Sequence, residues 1–171
     1  TNEVEDHGLA LVAADDFYLR SEYSSANSAD YSTETTTPIS VEYTGSNLAI
    51  ASVDSMYLVN VNIKTGGNLA IGTLSDLKIV GGNKTNKKNY RSSITAGTGG
   101  NTPSPDLVLL YANELLHLSN LDFIGDGIRE IHLDAMKARI ENTTFASGQI
   151  VHGNLNKGSS TNISKVTHPS G

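Results

Sequence analysis

The sequence predicts an all-β chain wound as a parallel β-helix (β-solenoid) of about six coils with two polar loop insertions. Three observations carry this. The phrase Asn47-Leu48-Ala49-Ile50-Ala51-Ser52-Val53 returns 21 residues later as Asn68-Leu69-Ala70-Ile71-Gly72-Thr73-Leu74. A second phrase (apolar, any, Asn, small or apolar, any, apolar) occurs around Asn60, Asn120 and Asn142, the last two 22 residues apart. Within each repeat, apolar and polar residues alternate in runs of a few residues, separated by Asn, Asp or Gly. Such alternation marks short half-buried strands, and those separators supply turns. Three short strands in about 21 residues make one coil, and equivalent strands of successive coils then stack about 4.8 Å apart.

The coil starts can be placed in order at Leu9, Leu48, Leu69, Val108, Ile131 and Ile150. In the first coil Leu9-Ala10-Leu11 continues through Ala13, Asp15-Asp16 and Phe17-Tyr18-Leu19, and the same rhythm passes without a gap through Val108-Leu109-Leu110, Ala112, Asn113-Glu114 and Leu116-His117-Leu118. The coil that starts at Ile131 is one residue shorter on its way to Ala138 and Ile140. Expected inward residues are Leu9, Leu11, Leu48, Ile50, Leu69, Ile71, Leu110, Leu118, Ile131 and Leu133. Two spacings of 39 exceed one coil, so each holds an insertion: about 21–40, rich in Ser and Thr, and about 81–105, rich in Gly, Asn, Thr and Lys. Both begin shortly after a strand, so the whole chain, 1–171, reads as a single β-helix domain. Asn60, Asn120 and Asn142 recur at one bend and are expected to stack as a structural Asn ladder, each amide satisfying polar groups of the next coil. Asp76 stands as a variant of the same position. A helix over 106–123 would need Leu107, Leu110, Leu115 and Leu118 on one face, and Leu109, Leu116 and Leu121 break that register.

These repeats resemble the right-handed parallel β-helix of the pectate-lyase-like superfold, over roughly Leu9 to Val166. The resemblance implies a fold and leaves function open, since that superfold carries lyases, hydrolases, tailspikes and adhesins. A lyase of this kind would need Ca²⁺ on clustered carboxylates. Asp15, Asp16, Asp54, Asp76, Glu114 and Asp134 occupy similar bend positions and form a stripe, but Ca²⁺ takes about six oxygens converging on one point. Hydrolase-like fragments exist at Asp15-Asp16, Asp6-His7-Gly8, His152-Gly153 and Lys137-Ala138-Arg139-Ile140. The acidic pair lies in the first coil and His152 in the last, too far apart to flank one glycosidic bond. No catalytic or cofactor-binding residue is therefore assigned, and no cofactor is expected. His117 and His132 lie in matching alternation and point outward, as a solvent-facing pair in preference to two ligands of a metal. Tyr18 and Tyr57 share a coil position that Lys78 and His117 continue, an outward column able to touch sugar rings or another subunit.

The chain of 171 residues has 12 basic and 18 acidic side chains, a net charge of −6, and no balancing basic patch, which argues against nucleic acid as a partner. Its local basic cluster is Lys84, Lys87, Lys88 and Arg91. It has no cysteine, which excludes disulfides, thiolate metal sites and a Cys nucleophile. Its longest apolar run is far too short for membrane insertion. The chain opens on Thr1, consistent with a processed, secreted protein. The functional expectation is a non-enzymatic extracellular or cell-surface subunit. Its partners would be copies of itself, stacked head-to-tail into a filament, surface layer or adhesive fibre, because solenoid ends expose strand edges. Carbohydrate binding or polysaccharide degradation is the alternative, with surface glycans as partners.

Overall fold

The backbone is wrapped so that alternate side chains face one shared interior, and the strands that do this all run parallel. The computed structural model describes residues 8–20, 39–43, 47–81, 91–96, 106–124, 128–145, 149–155 and 162–164. These contain thirteen strands: β1 (Leu9–Ala13), β2 (Phe17–Arg20), β3 (Ile39–Tyr43), β4 (Leu48–Ser52), β5 (Met56–Val59), β6 (Val61–Thr65), β7 (Leu69–Thr73), β8 (Leu77–Val80), β9 (Ser92–Thr95), β10 (Asp106–Ile124), β11 (Ile128–Thr144), β12 (Ile150–Leu155) and β13 (Asn162–Ser164). No helix occurs among the described residues. The segment weighed as a helix, 106–123, lies within the single strand β10.

Pairing sorts the strands into three parallel ladders. The first runs β1, β4, β7, the start of β10, the start of β11 and β12. The second runs β2, β5, β8, the middle of β10, the later part of β11 and β13. The third runs β3, β6, β9, the end of β10 and the end of β11. Long β10 and β11 visit all three ladders, which makes the whole one nearly closed, solenoid-like sheet. The shorter coil noted in the sequence has a structural counterpart. A register shift between Ala112 and Leu115 sets two residues, Asn113 and Glu114, against the lone Met136 of β11.

Register turns the alternation into columns. Leu48, Leu69, Val108 and Ile131 lie one above another, as do Ile50, Ile71, Leu110 and Leu133, and all eight are buried. On the second ladder Leu58, Ile79, Leu118 and Ile140 form a matching column. On the third, Ile63 and Ile94 lead to Phe123, whose ring stacks on Phe145 at 5.0 Å. Burying each such side chain contributes roughly 1.5–3 kcal/mol, so these columns are the principal cohesive element.

Three expectations need correction. Leu9 is 40% exposed and Leu11 only half-buried, because β1 has neighbours on one side only among the described residues. The last coil starts at Val151, which pairs with Ile131, while Ile150 pairs with Glu130 and faces out. A one-residue slip in a strand exchanges its two faces, which is why an apolar pair such as Ile150-Val151 is ambiguous from sequence. Finally, the stretch 81–105 contains β9, an integral strand of the third ladder, and β3 begins inside 21–40. The remaining parts of those two stretches, 21–38, 82–90 and 97–105, lie outside the described residues.

Candidate functional site

Corners decide which polar side chains are structural and which are free for other work. Asn60, Asn120 and Asn142 each have positive φ, at 54°, 51° and 46°. Asn tolerates this left-handed conformation better than other side-chain-bearing residues, which explains its recurrence where the second ladder turns into the third. Asn142 Nδ2 donates to Asn120 Oδ1 at 2.6 Å. Asn60 does not join that pair. The intervening register position is Gly81, whose N–H donates to Ser119 O, while Asn60 N–H donates to Val80 O. Asp76, read as another copy of this corner, stands at a different one, just before β8.

A second set of corner residues was missed as a ladder, although its repeat was visible in the sequence. Asn47 Oδ1 accepts the Asn68 N–H at 2.8 Å, and Asn68 Oδ1 accepts the Leu107 N–H at 2.8 Å. Asp16 Oδ1 does the same for Ser55 N–H at 3.0 Å, and Asp76 Oδ1 for Leu115 N–H at 3.1 Å. Each of these oxygens reaches one coil onward to a backbone donor that the ladders leave over at the bend. Two of the carboxylates considered for Ca²⁺ thus act as corner acceptors.

The proposed acidic stripe is interrupted. Asp15, Asp16 and Asp54 approach within 4.8 Å of one another and are all exposed. Asp54 follows Asp15 at its corner, but the next coil presents Ser75, whose carbonyl accepts the Glu114 N–H. Asp134 lies on the outer face of the first ladder, paired with Tyr111 and hydrogen-bonded by Asn154. Arg91, part of the basic cluster in the sequence, is engaged by the third ladder. Its guanidinium grips both oxygens of Asp122 at 2.8–3.0 Å and donates to Asn142 O at 2.7 Å.

The aromatic and basic column is present on the outer face of the second ladder. Register places Tyr18, Tyr57, Lys78, His117 and Arg139 in one line. The Tyr18 and Tyr57 rings stack at 5.0 Å with 15° between planes, and Lys78 Nζ lies 5.5 Å from the Tyr57 centroid. A hydrogen bond to Asp16 is the main influence raising the Tyr18 hydroxyl above the ordinary phenol value. Burial, followed by the Arg139 and Lys78 cations, holds the His117 imidazole below its ordinary value against an upward pull from Glu141. Such a strip offers flat apolar faces beside hydrogen-bond donors, which suits sugar rings or a second protein surface.

His117 and His132 do not form a pair. His117 sits on the second ladder opposite Lys78 and Arg139, whereas His132 sits on the first ladder opposite Leu109. The ring that stacks on His132 is His152, at 4.5 Å and 18°. His152 drew notice in the sequence only as a hydrolase-like fragment, and it lies five ladder steps, about 24 Å, from the coil of Asp15 and Asp16. Compared with protein families, with curated proteins and with solved structures, the chain matches none.

Proposed function

We propose that the chain is a non-enzymatic, extracellular or cell-surface structural subunit, a right-handed β-helix of about six coils with polar loop insertions, that stacks on copies of itself. The observation that carries this reading is the pair of open ladder edges. Among the described residues β1 pairs only with β4, and β12 only with β11. Continued in register, Leu9 of one copy meets Val151 of the next, Leu11 meets Gly153 and Ala13 meets Leu155. Gly153 stands where the Ile50, Ile71, Leu110 and Leu133 column would place a large side chain. A Cβ there would touch only Leu155 at ordinary contact distance, so the described fold does not require Gly at that point. In the stacked arrangement Leu11 of the next copy would lie over this small residue. Unlike surfaces meeting in this way propagate without closing.

The test follows from strand chemistry. In β1, Leu9 N–H and Ala13 C=O bond to the β4 side, so by alternation Ala10 and Val12 turn their backbone groups to the open edge. Val12 is 72% exposed, and proline is tolerated on a strand edge. Val12→Pro removes an outward donor without breaking a β1–β4 bond. Negative-stain microscopy and sedimentation velocity on the full chain should show rods that lengthen with concentration and a marked loss of them in Val12→Pro. A wild-type chain that stays monomeric at high concentration defeats the proposal.

The Tyr18–Tyr57 stack with Lys78 favours a second reading, a carbohydrate-binding β-helix. Glycan-array binding that disappears in Tyr57→Ala, without release of unsaturated or reducing ends, would favour it over both the structural subunit and a degradative enzyme.

A further inference from the structure

The geometry points to a surface site for a divalent transition ion of the zinc type, formed by Glu130, His132 and His152, that clips β12, the edge strand of the first ladder, to β11. Glu130 and His132 are two residues apart on β11 and therefore share its outer face, and His152 lies directly opposite His132 in the parallel register. The ligand atoms of all three lie within 4.8 Å of one another. His132 Nε2 stands 3.4 Å from Glu130 Oε2, and His152 Nε2 stands 3.6 Å from Glu130 Oε1. Both separations are long for an N–H···O bond, which runs about 2.7–3.2 Å. They lie near the roughly 3.3 Å edge of a tetrahedral ligand set with metal–ligand bonds of about 2.0–2.1 Å. Because they involve different Glu130 oxygens and the imidazoles stack at 18°, the three side chains must turn about their own bonds to converge on one ion.

The donor set selects the ion. Two imidazoles and one carboxylate suit Zn²⁺ and its neighbours, whereas Ca²⁺ and Mg²⁺ take oxygen ligands. Three protein ligands leave one position for water. The side chains are 38–49% exposed, so an ion can enter without any rearrangement of the backbone. Position in the fold gives the site a purpose. The inward row of β12 is Val151, Gly153 and Leu155, in which Val151 and Leu155 are half-buried and Gly153 carries no side chain. Apolar packing therefore holds β12 less firmly than the buried columns hold β7 and β10. A bond from each strand to one ion supplies a cross-strand link at an edge where core packing is incomplete. The acidic cluster of Asp15, Asp16 and Asp54, at the other end of the ladder, contains no imidazole and is not part of this inference.

The experiment uses the full chain and Zn²⁺ in competition with a chromophoric chelator, together with Co²⁺ as a spectroscopic substitute. Expected are one micromolar site, intense visible Co²⁺ bands of tetrahedral type, and Zn²⁺-induced NMR shifts at His132 and His152. His152→Ala and Glu130→Gln should each weaken Zn²⁺ binding at least about tenfold, the scale on which even supporting groups act. His117→Ala, on another ladder, should leave it unchanged. Binding weaker than millimolar, or affinity unaltered by both site variants, overturns the assignment. Should a variant fail to fold, the wild-type imidazole shifts decide: movement of other histidines with His132 and His152 unmoved also overturns it.

Discussion

A single asparagine at a bend illustrates how much of this fold rests on residue-level conformational preference. Asn120 combines a φ of 51° with an oxygen that accepts from Asn142 Nδ2. Alanine in the left-handed region costs about 1–2 kcal/mol, and the lost amide bond about 1 more. Glycine removes the bond but keeps the conformation. Urea unfolding should therefore rank Asn120→Ala as clearly less stable than Asn120→Gly, and the reverse order would mean that the side-chain bond outweighs the backbone. His117 makes a different residue-scale prediction. Burial and the cations Arg139 and Lys78 lower its folded-state value, so the unfolded chain takes up the proton first as pH falls. Its effect is absent at high pH, and stability is lost through the window from the ordinary imidazole value of ~6.5 down to the lower folded value. Melting temperature should fall as pH is lowered below about 6.5, and His117→Gln should reduce that drop.

At the scale of elements, the ladders need fastening where the third one passes through polar stretches. Arg91, just ahead of β9, bridges to Asp122 on β10 and to the Asn142 carbonyl of β11, so one side chain ties three successive coils. Both charged partners are about a quarter exposed, so solvent screens the pair and the discounted contribution is about 1–2 kcal/mol. Arg91→Lys keeps the charge and loses the two-pronged grip on the carboxylate. Chemical denaturation should find most of the Arg91→Ala loss already present in Arg91→Lys. Equal stability of the lysine variant and wild type would show that charge alone suffices. The corner oxygens of Asn47, Asn68, Asp16 and Asp76 fasten the other bends in the same way, each to a backbone N–H of a neighbouring coil.

For the molecule as a whole, stacked coils make stability a matter of neighbours. A coil in the middle of the ladders has partners on both sides, while β1 and β12 have one each among the described residues. In such quasi-one-dimensional folds, opening begins at the ends. Hydrogen exchange in dilute monomer should release amides of β1 and β12 well before those of β7 and the centre of β10. Assembly would protect the β1 and β12 edges together, whereas excess Zn²⁺ added to dilute monomer would protect β12 alone. Uniform protection along the ladder would argue against both open edges.

The amino-acid sequence by itself determined the period, the all-β parallel character, most of the inward columns and the asparagine corner. Each follows from local physics: alternation assigns a residue to a face, and a turn that needs positive φ selects Asn or Gly. The Tyr18, Tyr57, Lys78 and His117 line was legible for the same reason, since equal positions in equal coils must stack. Only the tertiary structure decided which ladder each run joins. It set His132 against His152 instead of His117, moved Asp76 to another corner, started the last coil at Val151, and placed β9 within an apparently loop-like stretch. Alternation with a period of two carries no memory of how many residues a bend consumes, so a bend of variable length erases the phase between strands. That phase is restored only when backbone groups distant in sequence pair in register and the side chains on either face come together.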